Sequence, residues 1–538
     1  MIDEQFRLEV LDWIASDPDP LTAALLSKWL TENNEIELRK SFNGFLEFGT
    51  AGLRGPVRPG PSGMNRAVVG RTAAGIAAFL ISRGLSKVII GRDARHGSLE
   101  FAQESAEIFS GTGLEVYLLP RELPTPVLAF AVNELKMDCG IMVTASHNPA
   151  IDNGYKVYLG GAIDGIVYRG SQIIAPVDRD ISKRISEVKT PSPRGKNWEI
   201  VGEEVIEKYV ASCAGNLREV KAQKIVYTAM HGVGTKTLLS VFDKAKFTTP
   251  ILVTEQSKPD PDFPTVTFPN PEERGAIDLA IKLAIKENAD LVIANDPDAD
   301  RCAIAAKDGS GNWRMLRGDE FGTLLGHYIS KNQNIKGKVF ATTIVSSSAL
   351  NKIAGNSGAN FVETLTGFKW LSKIENLAFG YEEAIGYCVD PLSVNDKDGI
   401  SAALKIAQIN SELLSQGSNI FSYLEEIWAE IGYHRTEQLS IRVSETLIIG
   451  KILSALTLNP PTTVAGLTVT QFEDLSKSSL PTQGLRIRCG ESVRVIIRPS
   501  GTEPKLKTYI EVVGDLEFAD TLVTKIKEEF EKLFASYS

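Results

Sequence analysis

Cys139-Gly-Ile-Met-Val-Thr144-Ala-Ser-His-Asn-Pro149 is the stretch on which the reading of this chain turns. Its first six residues form a short apolar run bounded by turn signals, the pattern of a buried strand. The run stops abruptly at Ser-His-Asn-Pro. That places the Ser146 hydroxyl at the carboxyl end of a strand, where open α/β sheets bind their ligands. Pro149 bars the right-handed helical conformation for Asn148 and breaks any helix. An Asn-Pro pair alone marks only a turn. Three further unusual loops, at Asp296, Glu382 and Arg498, give this one company.

Working outward, Lys87-Val-Ile-Ile-Gly-Arg-Asp93 reads as a strand, 98–110 as a helix, 114–119 as a strand and 126–135 as a helix, leading into the strand before Ser146. This βαβαβ rhythm is that of a largely parallel sheet. After it, Asp152-Asn-Gly-Tyr-Lys156 reads as a turn followed by a cation. Upstream, Phe48-Gly-Thr-Ala-Gly-Leu-Arg-Gly55 has three glycines that permit close backbone approach, and Arg54 supplies a fixed cation. Residues 1–45 read as amphipathic helix. Leu21, Leu25, Trp29 and Leu30 line one face and pack against the first domain.

The rhythm recurs. Strands are predicted over 225–228, 251–254 and 291–295 and helices over 235–244 and 272–288, with a Pro-rich loop from 259 to 271. This round ends at Asp296-Pro-Asp-Ala-Asp-Arg301. In a third round, helices are predicted over 319–330, 347–354 and 368–376 and strands over 339–344 and 360–364. It ends at Phe379-Gly-Tyr-Glu-Glu-Ala-Ile-Gly-Tyr387. The repetition is architectural, not residue by residue. After a helix over 401–414, alternating strands (485–488, 493–498, 506–513) and a closing helix over 516–534 predict a small α+β domain that carries Arg498-Pro-Ser-Gly-Thr-Glu-Pro-Lys505. The expected division is 1–205, 206–317, 318–435 and 436–538.

A length of 538 residues suits three or four domains at a soft prior of ~150 residues each. Hydrophobic content of 43% and charged content of 23% are those of a soluble globular protein. A net charge of −9 argues against a general nucleic-acid binder. The five cysteines are scattered without a C-x-x-C pair, which predicts reduced core thiols in a cytoplasmic protein. The acidic start lacks the regions of a signal peptide. The uncharged stretch 452–472 has Asn459-Pro460-Pro461 in its middle, so it does not read as a spanning helix.

Asp296, Asp298 and Asp300 alternate, so in an extended loop their carboxylates converge. Three carboxylates so close repel unless a cation sits among them, and an all-oxygen set selects a hard divalent ion, Mg²⁺ above all. An EF-hand reading fails, because its glycine position holds Arg301 and its terminal glutamate position holds Lys307. Arg498, Ser500, Gly501 and Thr502 read as a phosphate cradle, to which Lys505 and Lys507 add charge. Glu382 and Glu383 can accept hydrogen bonds from sugar hydroxyls. Ser146 and His147 are adjacent, and neighbours on an extended segment point to opposite sides, so a Ser–His hydrolase pair is poorly served. G-x-S-x-G and Walker A motifs are absent. A serine near a metal and a phosphate cradle suits carriage of a phosphoryl group.

In this order, the four loops resemble those of the α-D-phosphohexomutase superfamily, the phosphoglucomutase/phosphomannomutase family, from about Phe48 to the end of the chain. Thr144–Pro149 matches the family's phosphoserine loop, Asp296–Arg301 its metal loop, Gly380-Tyr-Glu-Glu-Ala384 its sugar loop and Arg498–Thr502 its phosphate loop. The resemblance implies four domains around a central cleft, three of them mixed α/β sheet domains and the last a smaller C-terminal α+β domain. It implies a mutase that moves a phosphoryl group between C1 and C6 of glucose or mannose phosphate through phosphorylated Ser146 and a sugar bisphosphate. Ser146, His147, Lys156 and Arg54 are the implied catalytic set, and Ser146 with Asp296, Asp298 and Asp300 the implied Mg²⁺ ligands. Arg301, Thr366, Gly367, Lys369, Glu382, Glu383, Arg498, Ser500, Gly501 and Thr502 are the implied substrate contacts. A sugar 1,6-bisphosphate is the implied activator. The partner is a phosphosugar, with no nucleic acid and no membrane, in a monomer or weak dimer. Many members have Ser and Gly where this chain has Ala384 and Ile385. The Glu-Glu-Ala-Ile-Gly-Tyr form and the N-terminal extension look more like the subgroup with phosphopentomutases and glucose-bisphosphate synthases. Hexose and pentose both stay open, with the hexose first. The rival readings are a phosphatase and a non-catalytic sugar-phosphate binder, and intact Ser146 and the three aspartates argue against the binder.

Overall fold

The structure, a computed structural model, describes residues 2–49, 52–189, 192–215, 221–443, 446–500 and 505–537. The chain divides into two compact units, Met1–Leu316 with Ala384–Gly417, and Arg317–Glu383 with Ser418–Ser538.

In the first unit, strands Glu199–Ile200, Glu115–Leu118, Lys87–Arg92 and Cys139–Val143 lie side by side in parallel. Residues 88–90 and 139–143 are buried throughout, which is why they read as continuous apolar runs. Helices Arg66–Ile81, Ser98–Gly111 and Thr125–Glu134 accompany them. The βαβαβ core thus stands where the sequence places it. The sheet then turns mixed: Asp152–Leu159 pairs antiparallel with Cys139–Val143, and Leu53–Pro56 pairs antiparallel with Asp152–Leu159. The predicted turn at Asp152–Lys156 is therefore strand. A Cβ on Gly154 would lie 2.5 Å from the Thr144 carbonyl oxygen and 3.0 Å from that of Leu53. This glycine serves close strand approach, not a turn. Arg54 sits opposite Gly154 in the ladder, so what reads as a Gly-rich turn becomes an edge strand at that point.

The second sheet of this unit aligns Ile251–Leu252, Ile225–Thr228 and Leu291–Asn295 in parallel, followed antiparallel by Cys302–Lys307 and Trp313–Met315. The Asp296–Arg301 loop joins its two central antiparallel strands. The helix predicted over 272–288 runs only Asp278–Glu287, because Gly275 at φ +85° closes a turn ahead of it. Segment Ala384–Gly417 contributes helix Gly399–Ser415, capped by the Asp398 carboxylate on the Ile400 and Ser401 N–H groups. Gln223 Nε2 donates to the Ala407 carbonyl at 2.6 Å and ties that helix to this unit.

Three N-terminal helices, Glu4–Ser16, Pro20–Thr31 and Glu35–Ser41, are capped by Asp3, Asp19 and Asn34. Their shared core is Val10, Leu26, Leu30 and Leu38, with Trp29 against it. Leu21 is 81% exposed and Leu25 37%, so the predicted apolar face is corrected at both positions. Leu21 follows Pro20 in the first turn, before the inward stripe begins. The helices reach the sheet domain through polar contacts, among them Ser62 Oγ to the Lys40 carbonyl at 2.6 Å.

In the second unit, Asn360–Thr364, Val339–Thr343 and Leu377–Glu382 are parallel, with helices Gly318–Asn332 and Ala349–Ser357. The helix predicted over 368–376 is a single turn, Phe368–Leu371. The C-terminal sheet is antiparallel, in the order Tyr433–Arg442, Lys505–Gly514, Val493–Pro499, Leu485–Cys489 and Gln471–Asp474. Helix Leu516–Ala535 covers it through Ala519, Leu522, Val523, Ile526 and Phe530. The architecture is mixed α/β sheets followed by a smaller α+β domain. No helix among the described residues is long and apolar enough to cross a membrane.

Gly154→Ala is expected to destabilise the first unit by about 1–3 kcal/mol, the usual cost of overpacking. The effect would show as a lower urea midpoint, and an unchanged midpoint would contradict the close-approach account.

Candidate active site

Ser146 follows directly on strand Cys139–Val143 through Thr144 and Ala145, all buried. Its φ is +51°, a left-handed conformation rare for a side chain with a Cβ. The Ser146 N–H donates to Thr144 Oγ1 at 2.9 Å, and its own Oγ donates to Asp296 Oδ2 at 2.8 Å. The left-handed turn also brings His147 Nδ1 to 3.4 Å from Ser146 Oγ. The expected divergence of these neighbours assumed an extended segment, and the structure corrects it. Burial, with Arg301 and Arg54 close by, holds the His147 imidazole well below its ordinary value, so it is neutral near pH 7.

The three aspartates converge as expected. One carboxylate oxygen from each lies within 4.8 Å of the others, and all three are at most 1% exposed. Such a cluster must be balanced locally. Lys156 Nζ donates to Asp298 Oδ2 at 2.7 Å and to Asp300 Oδ2 at 2.9 Å. Lys397 Nζ stands 3.4 Å from Asp300 Oδ2, and Arg301 Nε 3.8 Å from Asp300 Oδ1. Thr125 Oγ1 donates to Asp298 Oδ2 at 2.6 Å. Burial alone would raise both carboxyls, but Lys156 carries Asp298 and, with Lys397, Asp300 below the ordinary range. Burial would lower Lys156, and Asp298 and Asp300 reverse that, leaving it raised and charged. Among the described residues no lysine pairs with Asp296. Burial and its two acidic neighbours push it well above the ordinary value.

Asp298 Oδ1 and Asp300 Oδ1 are buried and accept no hydrogen bond. Orphaned carboxylate oxygens of this kind are what a hard cation satisfies, so the donor set fits a divalent ion. Arg54 Nη1 donates to Asn148 Oδ1 at 3.2 Å, which places a guanidinium beside the serine loop. Ser146, His147, Arg54, Lys156, Asp296, Asp298, Asp300 and Arg301 thus come together in one unit.

The remaining predicted residues belong to the second unit. Thr366 and Gly367 precede the turn Phe368–Leu371, with Gly367 at φ +105° and Lys369 Nζ 6.0 Å from the Trp370 ring centroid. Glu382 ends strand Leu377–Glu382 and is buried. Glu383 Oε2 accepts from Ser346 Oγ at 3.0 Å and Thr343 Oγ1 at 3.2 Å. Arg498 lies on strand Val493–Pro499 opposite Lys507, and the Ser500 N–H donates to the Lys505 carbonyl at 2.8 Å. Gly501 and Thr502 lie outside the described residues.

Sequence reasoning missed Lys397, Thr125 and Arg95. Lys397 sits in Asp396-Lys-Asp-Gly399, a charged run that reads as a helix cap. Thr125 reads only as the start of a helix. Arg95 Nη1 and Nη2 bond the carbonyls of Ser146, Asn148, Pro149 and Asp152. Its arrangement is invisible without the fold.

Two outcomes follow from these electrostatics. If Mg²⁺ occupies the triad, free Mg²⁺ at one hundred times its Kd should stabilise the protein by about 2.7 kcal/mol, and Asp298→Asn should lose the response in a thermal melt. In the second unit, burial raises Asp319 from 3.8 to about 7, only partly offset by the Ser347 N–H and reinforced by Glu383 and Glu511. The folded state then holds this proton more tightly than the unfolded chain. Asp319 therefore costs stability progressively as pH rises from about 4 to about 7. Asp319→Asn should flatten that slope in urea midpoints, and an identical slope in the variant would contradict it.

Comparison with known proteins shows the family of the chain. Residues 46–190, 204–309 and 317–431 match, in order, the alpha/beta/alpha domains I, II and III of phosphoglucomutase/phosphomannomutase, and 461–529 match the C-terminal domain. The chain belongs to this family. It is 45% identical over 475 residues to a Haemophilus influenzae protein named as a probable phosphomannomutase, covering 87% of this chain and 96% of that one. It is 35% identical over 596 residues to the phosphopentomutase of Homo sapiens, covering 99% and 95%. A solved Burkholderia thailandensis phosphoglucomutase/phosphomannomutase family protein shares the fold, with a TM-score of 0.70, 19% identity and 90% and 96% of the two chains covered. The chain is thus a phosphomutase, an intramolecular phosphotransferase acting on a phosphosugar.

Proposed function

We propose that the chain interconverts hexose 1-phosphate and hexose 6-phosphate, of glucose or mannose, with Ser146 as the phosphoryl carrier. The observation that carries this reading is the 2.8 Å contact of Ser146 Oγ with Asp296 inside a buried aspartate triad. In the forward half, the bond between Ser146 Oγ and phosphorus breaks and a bond to the free hydroxyl oxygen of the sugar forms, giving a bisphosphate. In the return half, the other phosphate passes back to Ser146 Oγ. Asp296, Asp298 and Asp300, with Ser146, would hold Mg²⁺, which when bound would supply charge neutralisation to the transferring group. Arg54 and Arg301 flank the loop as fixed cations that stabilise the phosphoryl oxygens. Lys156 is charged and bound to two aspartates, so it orients that loop. His147 is neutral and within 3.4 Å of Ser146 Oγ. It is the group placed to accept the proton of the attacking hydroxyl and return it.

Glu382 and Glu383 are assigned to the sugar hydroxyls, Thr366, Gly367 and Lys369 to substrate contact, and Arg498, Ser500, Gly501 and Thr502 to the distal phosphate. The 45% identity with a protein named for mannose phosphate favours a hexose. Ala384, lacking a hydroxyl in the sugar loop, together with a phosphopentomutase relative spanning 99% of the chain, supports a second reading, transfer between C1 and C5 of ribose or deoxyribose phosphate. The 1-phosphates of glucose, mannose, ribose and deoxyribose, assayed with Mg²⁺ and a trace of glucose 1,6-bisphosphate, separate the two. Faster hexose turnover is expected, with Ser146→Ala slower by ~10³-fold or more. Faster pentose turnover would transfer the assignment to the second reading.

A further inference from the structure

The Pro-rich loop from 259 to 271 has no part in the mechanism above, yet its Phe263 touches Arg95, a side chain that grips the backbone of the serine loop. Arg95 is buried, and both terminal nitrogens are saturated. Nη2 donates to the Ser146 and Asn148 carbonyls, each at 2.6 Å, and Nη1 to those of Pro149 and Asp152 at 2.8 and 3.1 Å. Nε stands 3.4 Å from the Asp93 carboxylate. Four carbonyls from seven consecutive residues are turned onto one planar group, and that fixes the curvature of the loop. It also stabilises the left-handed Ser146, a conformation that persists only where its surroundings over-determine it.

Across the guanidinium lies Phe263, its ring centroid 4.8 Å from Arg95 Cζ. Phe263 is itself buried and left-handed, at φ +46°, an outlier for a bulky residue. Beside it, Asp262 Oδ1 pairs with His96 Nε2 at 2.7 Å. Two left-handed non-glycine residues, each in a loop that follows a strand of a different sheet of the first unit, therefore both meet one buried cation.

Resting on the reading of Ser146 as phosphoryl carrier, we propose that Arg95, seated on the ring of Phe263, is the positioning residue of the serine loop, and that the Pro-rich loop thereby sets the rate of phosphoryl transfer. Neither residue touches substrate. They act through the placement of Ser146 Oγ relative to the triad. Lysine, a point charge with three donors, cannot hold four carbonyls in one plane. Leucine at 263 fills the space but offers no ring face.

The test is steady-state kinetics with saturating Mg²⁺ on Arg95→Lys, Phe263→Leu, Phe263→Tyr and Ser146→Ala, each with a thermal melt. Arg95→Lys should lower kcat by ~10²-fold, the penalty of a misplaced reacting group, with KM for the sugar phosphate changed less than about threefold. Phe263→Leu should lower kcat by ~10-fold with the same split, and Phe263→Tyr, which keeps the π face, should stay within about twofold of wild type. Unchanged kcat in both Arg95→Lys and Phe263→Leu overturns the proposal. So does a loss of activity that merely follows a fallen melting temperature, or one that tyrosine fails to rescue. An active Ser146→Ala would instead sink the reading of Ser146, and the proposal with it.

Discussion

Three carboxylates buried at one point cannot stand alone. Coulomb repulsion and desolvation both oppose them, and the first unit is arranged to answer that constraint. Lys156 comes from a strand of the first sheet, the aspartates from a loop of the second, and Lys397 from the segment before helix Gly399–Ser415. Thr125, opening a helix of the first sheet domain, bonds Asp298 through its hydroxyl and also donates its N–H to the Asp298 carbonyl. The charge balance of the triad thus holds three stretches of chain together. Ser146 Oγ enters that arrangement as a hydrogen-bond donor to Asp296, with which no lysine pairs among the described residues.

The second unit meets a similar requirement differently. Arg494 and Glu511 face each other across neighbouring strands and pair at 2.8 Å, both buried. Arg494 also bonds the carbonyls of Ile344 and Ser346, while Glu511 accepts from the Ser347 hydroxyl and the Ser348 N–H. Ser346 in turn holds Glu383. The hairpin that carries Arg498 and Ser500 is therefore tied, through one ion pair, to the loop that fixes a candidate sugar-reading carboxylate. Here the pair is satisfied on all sides, which is the condition under which a buried charge can be kept.

Much of this was legible in the sequence because the signals were local. The apolar run before Ser146 reads as strand since it is buried on both faces, and the alternation of Asp296, Asp298 and Asp300 reads as convergence because it requires no other part of the chain. What escaped was long-range or conformational. Lys397 lies about a hundred positions from the aspartate it neutralises. Gly154 looks like a turn glycine but serves a backbone contact in a sheet. His147 was expected to point away from Ser146, and only the left-handed backbone reverses that. Leu21 and Leu25 stand one helical turn apart and read as one apolar face, but it is Leu26 and Leu30, also one turn apart, that pack inward.

The central claim is that Ser146 is the carrier of the phosphoryl group, and the most direct measurement is the phosphorylation state of its peptide. Purified protein would be incubated with glucose 1,6-bisphosphate and Mg²⁺, quenched, digested and examined by mass spectrometry. The account predicts phosphate on Ser146 that is discharged when excess sugar monophosphate is added. A peptide that stays unmodified in an enzyme that turns over, or phosphate found on another residue and discharged by substrate, would contradict it.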